Sequence, residues 1–295
     1  MSAHGKDQPL RGIAYILLSM MAFSVMNVFG KAMTGGYDVL QVVFFRSLFV
    51  LVPCGAVILW QKQPAYFATT NLRSHLIRGI VGLACMLCVF YALKLLPLAD
   101  AVAIGFLGPT FATVAAMLFL KEKAGWQRWV AIIGGLIGVL IMLQPGKVPV
   151  NNIGLAVALL GSLLYGVTMV WVRKLGRTEP ALTTVWFFGL FATVMMALAL
   201  PFVWVTPSWS DFAQLTLTGL CAFIGQLYVT KAYQFAPAAT ISPFNYTTLL
   251  WAILFGNLFW HEMPTPQILT GALVVVLAGS VTAIYEARQR RPLKG

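Results

Sequence analysis

The sequence predicts an all-α integral membrane protein with ten transmembrane helices, arranged as two inverted five-helix repeats. Three observations predict this fold. Of the 295 residues 60% are hydrophobic and only 9% are charged, whereas a soluble domain carries about a quarter charged residues. The apolar residues form continuous runs of about 20, the length that crosses a hydrocarbon core of roughly 30 Å as a helix. The two halves of the chain also share residues at fixed offsets.

Apolar runs separated by short polar turns define the predicted spans. The turns carry Gly, Pro, Asp and Ser, as in TGGYD, LQPGKVP and TPSWSD, and leave no room for a soluble domain. The first run lacks a small-residue cleavage site, so we expect it to be a span and not a signal peptide. The ten spans, numbered in chain order, cover residues 11–30, 39–60, 76–95, 98–120, 126–144, 152–172, 182–204, 212–234, 238–260 and 266–285.

The basic residues outside the spans predict the orientation of the chain. With the N-terminus inside, sixteen Lys and Arg residues, Arg78 among them, fall on one side, against Lys31, Lys94 and Lys147 on the other. By the positive-inside rule both termini are cytoplasmic. The net charge of +12 is then a topology signal. A nucleic-acid partner is not expected, because its footprint would cluster the basic residues on one soluble face.

The four cysteines add no chemistry to this prediction. All of them lie inside predicted spans, at Cys54, Cys85, Cys88 and Cys221. Cys85 and Cys88 share one helical face, but no His, Asp or Glu stands at a comparable depth to complete a ligand set. We therefore predict neither a disulfide framework nor a metal site, and the sequence indicates no cofactor.

An internal duplication connects the two halves of the chain. Residues 12–31 match residues 154–173 at an offset of 142, and at an offset of 140 identical residues recur for positions 92, 97, 99, 112, 118, 119, 122 and 127. The predicted repeats cover residues 11–144 and 152–286. Because five is an odd number of spans, the second repeat enters the membrane from the opposite side. Many secondary transporters use such an inverted repeat to alternate access to one midplane site.

These residues also carry a family resemblance. The segment LPLADAVAIGFLGPTFATVAAMLFLKEKAGWQRWVAIIGGLIGVLIM and its second-half counterpart resemble the drug/metabolite transporter superfamily, specifically its ten-helix EamA-type members, over essentially the whole chain. YALKLLPLADA with KEKAGWQRW resembles bacterial carriers of S-adenosylmethionine-like or riboflavin-like metabolites. The resemblance implies a transporter in the bacterial inner membrane, a central cavity lined mainly by helices 1, 3, 4, 6, 8 and 9, and a homodimer contact through helices 5 and 10.

Arg46 is the first candidate for substrate binding. It is the one Lys, Arg, Asp or Glu that we place well inside a span, and a guanidinium in the bilayer is costly unless it faces protein or water. A guanidinium that reaches the cavity would suit a carboxylate or phosphate group. The alternative is a structural role, in which Arg46 bonds to carbonyl groups or extends towards Asp38. Its counterpart in the second repeat is Phe188.

Spans 4 and 9 each carry a proline beside polar side chains. Pro109 and Pro243 each remove a backbone donor. Interrupted helices at corresponding places in two halves are the best sequence indication of a transporter's binding site, so both prolines are predicted hinges. The alternative is that they only kink the helices for packing. The substrate-binding candidates beside them are Thr110, Ser242, Asn245 and Tyr246.

Aromatic and amide side chains complete the predicted cavity. Together they would suit a flat or heterocyclic metabolite, and their ring faces would hold a cationic centre, because no intramembrane carboxylate is predicted. For any one ring the alternative is lipid contact or packing. These candidates are Phe23, Asn27, Tyr91, Tyr165, Gln226 and Tyr228.

Small and acidic residues near helices 5 and 10 have structural interpretations. Gly134 and Gly138 have the GxxxG spacing that lets helices approach closely, either within one chain or at a dimer contact. Glu122 and Glu262 precede helices 5 and 10, and we expect them to stabilise the helix N-termini.

The function that explains these features together is secondary transport of a small organic metabolite that is amino-acid-like, nucleoside-like or heterocyclic, including S-adenosylmethionine-like molecules. An exporter of drugs or amino acids, a channel and a membrane scaffold are the alternatives. An enzyme is not expected, because the sequence has no acid/base pair, nucleophile constellation or phosphate loop. The histidines lie at span edges, so facilitated diffusion or solute exchange is expected in preference to a proton relay.

Overall fold

The computed structural model describes residues 9–120, 126–143, 152–175, 178–235 and 242–289. These residues form helices and short turns, without a β-strand in the described ranges. The same ranges contain two 3₁₀ segments, Pro64–Phe67 and Ser242–Tyr246. The α-helices are α1 (Pro9–Thr34), α2 (Val39–Trp60), α3 (Leu72–Leu95), α4 (Leu98–Gly105), α5 (Gly108–Leu120), α6 (Trp126–Leu143), α7 (Asn152–Leu175), α8 (Ala181–Val203), α9 (Trp209–Phe235), α10 (Thr247–Trp260) and α11 (Pro266–Gln289).

The all-helical membrane fold predicted from composition is confirmed. Within the described residues, seven segments are long and apolar enough to cross a membrane: Leu10–Thr34, Val39–Trp60, Leu72–Leu95, Leu98–Phe119, Ile153–Val172, Ala181–Val203 and Trp209–Val229. A further apolar helix, Pro266–Ala278, is shorter. The total of ten spans therefore stays a prediction.

The interruptions predicted in spans 4 and 9 are present in the structure. Span 4 divides into α4 and α5, since Pro109 has no N–H to donate to the carbonyl of Gly105 four residues earlier. The N–H groups of Phe106 and Leu107 instead reach carbonyls three residues back, at 3.2 and 3.1 Å. The described part of span 9 starts at residue 242 with the 3₁₀ segment that contains Pro243, and it continues as α10. A hinge motion at these two places stays a prediction.

The helices pack in a pattern that is repeated when the two halves are exchanged. The first half supplies α1, α2, α3, α4–α5 and α6, and the second half supplies α7, α8, α9, the 3₁₀–α10 pair and α11. Helix α1 packs against α9, and the exchanged pair, α7 against α3, is also in contact. Exchanging the halves replaces α2 with α8 and α6 with α11, so the α2–α8 and α6–α11 contacts are unchanged by it. This is the approximate two-fold pattern that a duplicated unit would produce.

Gly134 and Gly138 of α6 pack against α11 of the same chain. A side chain at Gly134 would meet Ala278, and one at Gly138 would meet Val275 and the backbone of Gly271. The sequence left open whether this glycine pair packs within one chain or at a dimer contact. In the described structure it packs within one chain. A homodimer through these helices stays a prediction, and it would use their other faces.

The connections between helices contact one another in two separate groups. One group, which we call the Lys31 face, comprises Lys31, Tyr37, Gln41, Val205, Asp211 and Glu262. The other, which we call the His75 face, comprises Thr69, Asn71, His75, Thr178 and Glu179. The predicted topology places these two groups on opposite sides of the membrane, so every contact joins connections that are expected to share a side.

Glu262 has a different role from the one expected at the start of helix 10. Its two carboxylate oxygens accept hydrogen bonds from Lys31 Nζ, each at 2.8 Å, and one of them also accepts from the N–H of Leu98 at 2.9 Å. Glu262 therefore stabilises the N-terminus of α4 and not that of α11, because the α3–α4 connection lies beside it. Glu122 lies outside the described residues.

Candidate substrate site

Arg46 lies in α2 and contacts α3. Its Nη1 donates to the thioether sulfur of Met86 at 2.8 Å, while its Nε is buried without a hydrogen bond. The suggested approach to Asp38 is wrong, because that carboxylate accepts from the N–H of Leu40 at 2.8 Å and caps α2. A thioether is a weak acceptor. Among the described residues the guanidinium of Arg46 therefore has no strong partner.

Arg78 is a second arginine inside the helix bundle, which sequence reasoning missed. The predicted span 3 starts at residue 76, so Arg78 was counted with the cytoplasmic connection before it. In the structure α3 begins at Leu72, and Arg78 therefore lies almost two turns into the helix. Its guanidinium carbon is 4.4 Å from the ring centre of Phe188 in α8. Its Nε and Nη1 are buried without hydrogen bonds. The signal that could have found it is the RGIVG sequence, in which glycines next to the arginine allow close helix approach.

The two interrupted spans meet each other through aromatic rings. Phe106, at the break between α4 and α5, lies edge-on to Tyr246 of the 3₁₀ segment, with ring centres 5.1 Å apart. The backbone carbonyl of the neighbouring Asn245 accepts a hydrogen bond from the hydroxyl of Thr248 at 2.7 Å. The side chain of Asn245 is partly buried. The side chains of Pro109, Ser242 and Pro243 lie outside the described residues.

Further candidates for substrate binding lie on α1, α7 and α9, and two of them pack closely against glycines of neighbouring helices. The ring of Phe23 covers Gly225 of α9, which precedes Gln226 in the chain. Tyr165 of α7 covers Gly108, the first residue of α5. Asn27 and Gln226 are partly buried. These contacts place Phe23 against α9 and Tyr165 beside the break in span 4.

Three other predicted binding residues, Thr110, Tyr228 and Tyr91, pack against neighbouring side chains or helices. Thr110 is buried against Gly135 of α6. Tyr228 stacks on Tyr15 with ring centres 5.7 Å apart, and Lys231 Nζ lies 5.6 Å from its ring. Tyr91 packs at the edge of the hydrophobic cluster that contains Met86 and Phe90. No contact described for these residues joins them to Tyr246.

A cavity of about 360 Å³ lies between α1, α9 and α10. Its lining is apolar apart from one amide, and none of the predicted binding residues takes part in it. The lining residues are Val25, Val28, Phe29, Ala32, Gln214, Phe255, Phe259 and Trp260. The predicted central cavity between the halves therefore stays a prediction.

Comparison with known proteins identifies the relatives of this chain. A family model described as the EamA-like transporter family matches residues 10–144 and 152–284. The pseudopaline exporter CntI of Pseudomonas aeruginosa is 25% identical, covering 90% of this chain and 94% of that protein. An S-adenosylmethionine uptake transporter of Rickettsia prowazekii is also 25% identical, with 95% and 94% covered. Human solute carrier family 35 member G1 is 28% identical, with 94% and 80% covered.

The fold also resembles that of a solved crystal structure. The two superimpose with a TM-score of 0.66 at 17% sequence identity, over 94% of this chain and 98% of the other. At this level of identity the likeness concerns the fold alone. Together with the apolar helices, the family match makes this chain a multi-pass membrane protein of a transporter family.

Proposed function

The chain belongs to the EamA-like transporter family, and from this premise we propose that it is a secondary transporter for a small organic metabolite. It works by alternating access in the bacterial inner membrane, with both termini in the cytoplasm. The relatives include an uptake transporter for S-adenosylmethionine and an exporter for pseudopaline. Export of drugs or amino acids in the same fold is the second candidate, and it differs from the first only in direction and cargo.

The observation that carries this proposal is the contact between the two interrupted spans. Helix interruptions at corresponding places in two halves occur where transporters bind their substrates. Here Phe106, at the interruption of span 4, contacts Tyr246, at the interruption of span 9. A channel or scaffold gives no reason for two interruptions in register. The substrate therefore binds next to this contact, between the halves.

The halves themselves are proposed to be inverted repeats, residues 11–144 and 152–286. The family model matches the chain twice, in nearly these ranges. The exchanged helix contacts α1–α9 and α7–α3 support the same division. Alternating access then follows from a movement of one half against the other, with Pro109 and Pro243 as hinges.

The proposed binding residues divide into two groups by chemistry. The first group offers ring faces, amides and hydroxyls for a flat or heterocyclic body: Phe23, Asn27, Tyr91, Thr110, Tyr165, Gln226, Tyr228, Ser242, Asn245 and Tyr246. The second is the guanidinium of Arg46, which provides forked donors for an acidic group. An amino-acid-like or S-adenosylmethionine-like molecule combines both features. We expect exchange or facilitated diffusion, which a robust accumulation of a neutral substrate driven by a pH gradient would contradict.

Counterflow in proteoliposomes tests this function. Labelled S-adenosylmethionine, amino acids, nucleosides and flavins are offered to purified protein, and a carrier shows saturable uptake that is accelerated by unlabelled substrate inside. A channel would conduct without counterflow, and a scaffold would move nothing. Replacing Asn245 with leucine abolishes uptake and leaves the folded yield near normal.

The matched control is Asn257→Leu on the adjoining helix α10, where the side chain is exposed. This variant keeps wild-type uptake. Unchanged uptake kinetics in Asn245→Leu would place the substrate elsewhere in the molecule.

A further inference from the structure

Two guanidinium groups lie along one face of α3. Arg78, Gly82 and Met86 are spaced four residues apart and therefore share one stripe of the helix. Arg78 belongs to this stripe, and Arg46 of α2 contacts it at Met86. Between them the ring of Phe188 lies over Gly82, where an added side chain would come within 3.0 Å of the ring. The Cα atoms of Arg78 and Met86 are about 12 Å apart along the helix.

Both guanidinium groups have buried nitrogens that lack an acceptor. The unpaired atoms are Nε of Arg46 and Nε and Nη1 of Arg78. A guanidinium withdrawn from water is stable only when its N–H groups meet acceptors, preferably charged ones. Met86 Sδ and the ring of Phe188 are weak substitutes for a carboxylate. Among the side chains that the structure describes, each arginine therefore lacks a counter-charge.

The five carboxylates whose side chains the structure describes form no ion pair with Arg46 or Arg78. Asp38 caps α2. Asp100 has a buried Oδ1 without a hydrogen bond, but this carboxylate interacts with the charges of Lys31 and Glu262, on the Lys31 face. The remaining three bond to other partners, namely Glu179 to His75, Asp211 to Tyr37 and Glu262 to Lys31. Salt bridges in the described part of the chain involve neither Arg46 nor Arg78. The acceptors for these arginines are thus not supplied by the described protein groups.

We propose that Arg46 and Arg78 form a two-point anion site for a solute that carries two separate acidic groups, carboxylate or phosphate. This inference rests on the proposed transport function and names the substrate class of that function. Each guanidinium binds one acidic group in a forked, charge-assisted geometry. The ring of Phe188 separates the two points, so that one small anion does not satisfy both. The site is directed between helices, since Arg46 contacts α3 and Arg78 contacts α8.

A binding series with purified protein tests the site without requiring transport. Isothermal titration compares α,ω-dicarboxylates of increasing chain length, and the corresponding bisphosphonates, with monoacids of equal length at constant ionic strength. One length window of the diacids binds, and the matched monoacids bind at least tenfold more weakly. Arg46→Gln and Arg78→Gln each lose at least tenfold in diacid affinity and leave the weak monoacid binding less affected.

The control variant is Arg73→Gln, which removes an exposed arginine of the same helix and leaves diacid affinity unchanged. If a glutamine variant does not fold, the lysine variant at that position keeps the charge and shows a smaller loss, because it lacks the forked donors. The absence of any diacid preference, or wild-type diacid affinity in both Arg46→Gln and Arg78→Gln, overturns the proposal. Stabilisation by phosphatidylglycerol in nanodiscs that depends on Arg78, without a response to diacids, assigns the arginines to lipid and also overturns it.

Binding and counterflow measurements together distinguish failure of the anion site from failure of the proposed transport function. Diacid binding without counterflow would retain the anion site and reject secondary transport. Counterflow of a substrate without acidic groups, unchanged in Arg46→Gln and Arg78→Gln, would retain transport and reject the two-point site.

Discussion

The Lys31 face and the His75 face each contain a pair of charged or titratable side chains, and the two pairs differ in how deeply they are buried. On the His75 face, His75 Nε2 lies 2.6 Å from Glu179 Oε2, and the two side chains are only 3% and 6% exposed. On the Lys31 face, Lys31 and Glu262 form an ion pair at 2.8 Å, with 10% and 26% exposed. Removing one partner of a buried pair leaves the other without solvent to replace it. The His75 face therefore depends more strongly on its single carboxylate.

The two faces also contain a corresponding pair of bonds. Tyr37 donates to Asp211 at 2.8 Å on one face, and Thr69 donates to Glu179 on the other. Tyr37 and Glu179 are separated by 142 positions, as are Thr69 and Asp211, which is the offset found for the first spans of the halves. The hydroxyl and the carboxylate have exchanged places between the halves. Each face thus has a bridge between corresponding positions of the two halves, and its carboxylate has a second partner, His75 for Glu179 and Ser208 for Asp211.

The same comparison appears in the acid–base behaviour of the two bridges. Burial of the Glu179 carboxylate acts to raise its pKa, but the hydrogen bonds from Thr69 and His75 outweigh this effect, so that its pKa is lower than usual. On the other face, the hydrogen bond to Asp211 raises the pKa of Tyr37 above its ordinary value. Each bridge ends on a carboxylate, so strong acid weakens both, while the hydroxyl of Tyr37 keeps its proton at ordinary pH.

The largest effect is expected from Glu179→Ala. This change leaves His75 and Thr69 without their acceptor, and loss of one partner of a buried pair costs about 3 kcal/mol. Thermal unfolding in detergent should show a fall in Tm of several degrees. The matched variant Asp211→Ala removes the corresponding carboxylate from the less buried bridge and should shift Tm less. Equal shifts in the two variants would contradict the difference between the faces.

An intermediate effect is expected from Glu262→Gln. The variant loses the charge that pairs with Lys31 but keeps an oxygen for the N–H of Leu98, so that the cost is about 1 kcal/mol for a partly exposed pair. Glu262→Ala loses the helix cap as well and should cost about 1 kcal/mol more. The same unfolding assay measures both, and a double-mutant cycle with Lys31→Met isolates the pair. A cycle with no coupling energy would show that the ion pair does not stabilise the face.

The smallest effect is expected in the pH dependence of stability. The carboxylate of Glu179 has a lower pKa in the folded protein than the value of about 4.3 in an unfolded chain. Its contribution is therefore present above that unfolded value and is lost as the pH falls through the lower folded one. Between pH 7 and acid, wild-type Tm should fall more steeply than that of Glu179→Gln. Parallel curves would mean that this carboxylate is not stabilised by folding.

Local chemistry explains which predictions succeeded. The interruption of span 4 was predictable, because a proline lacks its N–H wherever the helix lies. The position of Arg78 was not, since an arginine close to the end of an apolar run is assigned to a connection by its charge. Its place inside the bundle depends on Phe188, which lies 110 positions later and covers the guanidinium. The role of Glu262 was wrong for the same reason, because its partners are distant in sequence.

By itself the amino-acid sequence determined the membrane-embedded helical fold, the family resemblance and the two helix interruptions. Hydropathy over about 20 residues and the missing N–H of a proline act within one segment, whatever surrounds it. Only the tertiary structure decided which charged groups meet. Lys31 and Glu262 are 231 positions apart, and Arg46 reaches Met86 only because α2 and α3 are neighbours. Such contacts depend on the packing of helices against one another, which the pattern within each helix does not specify.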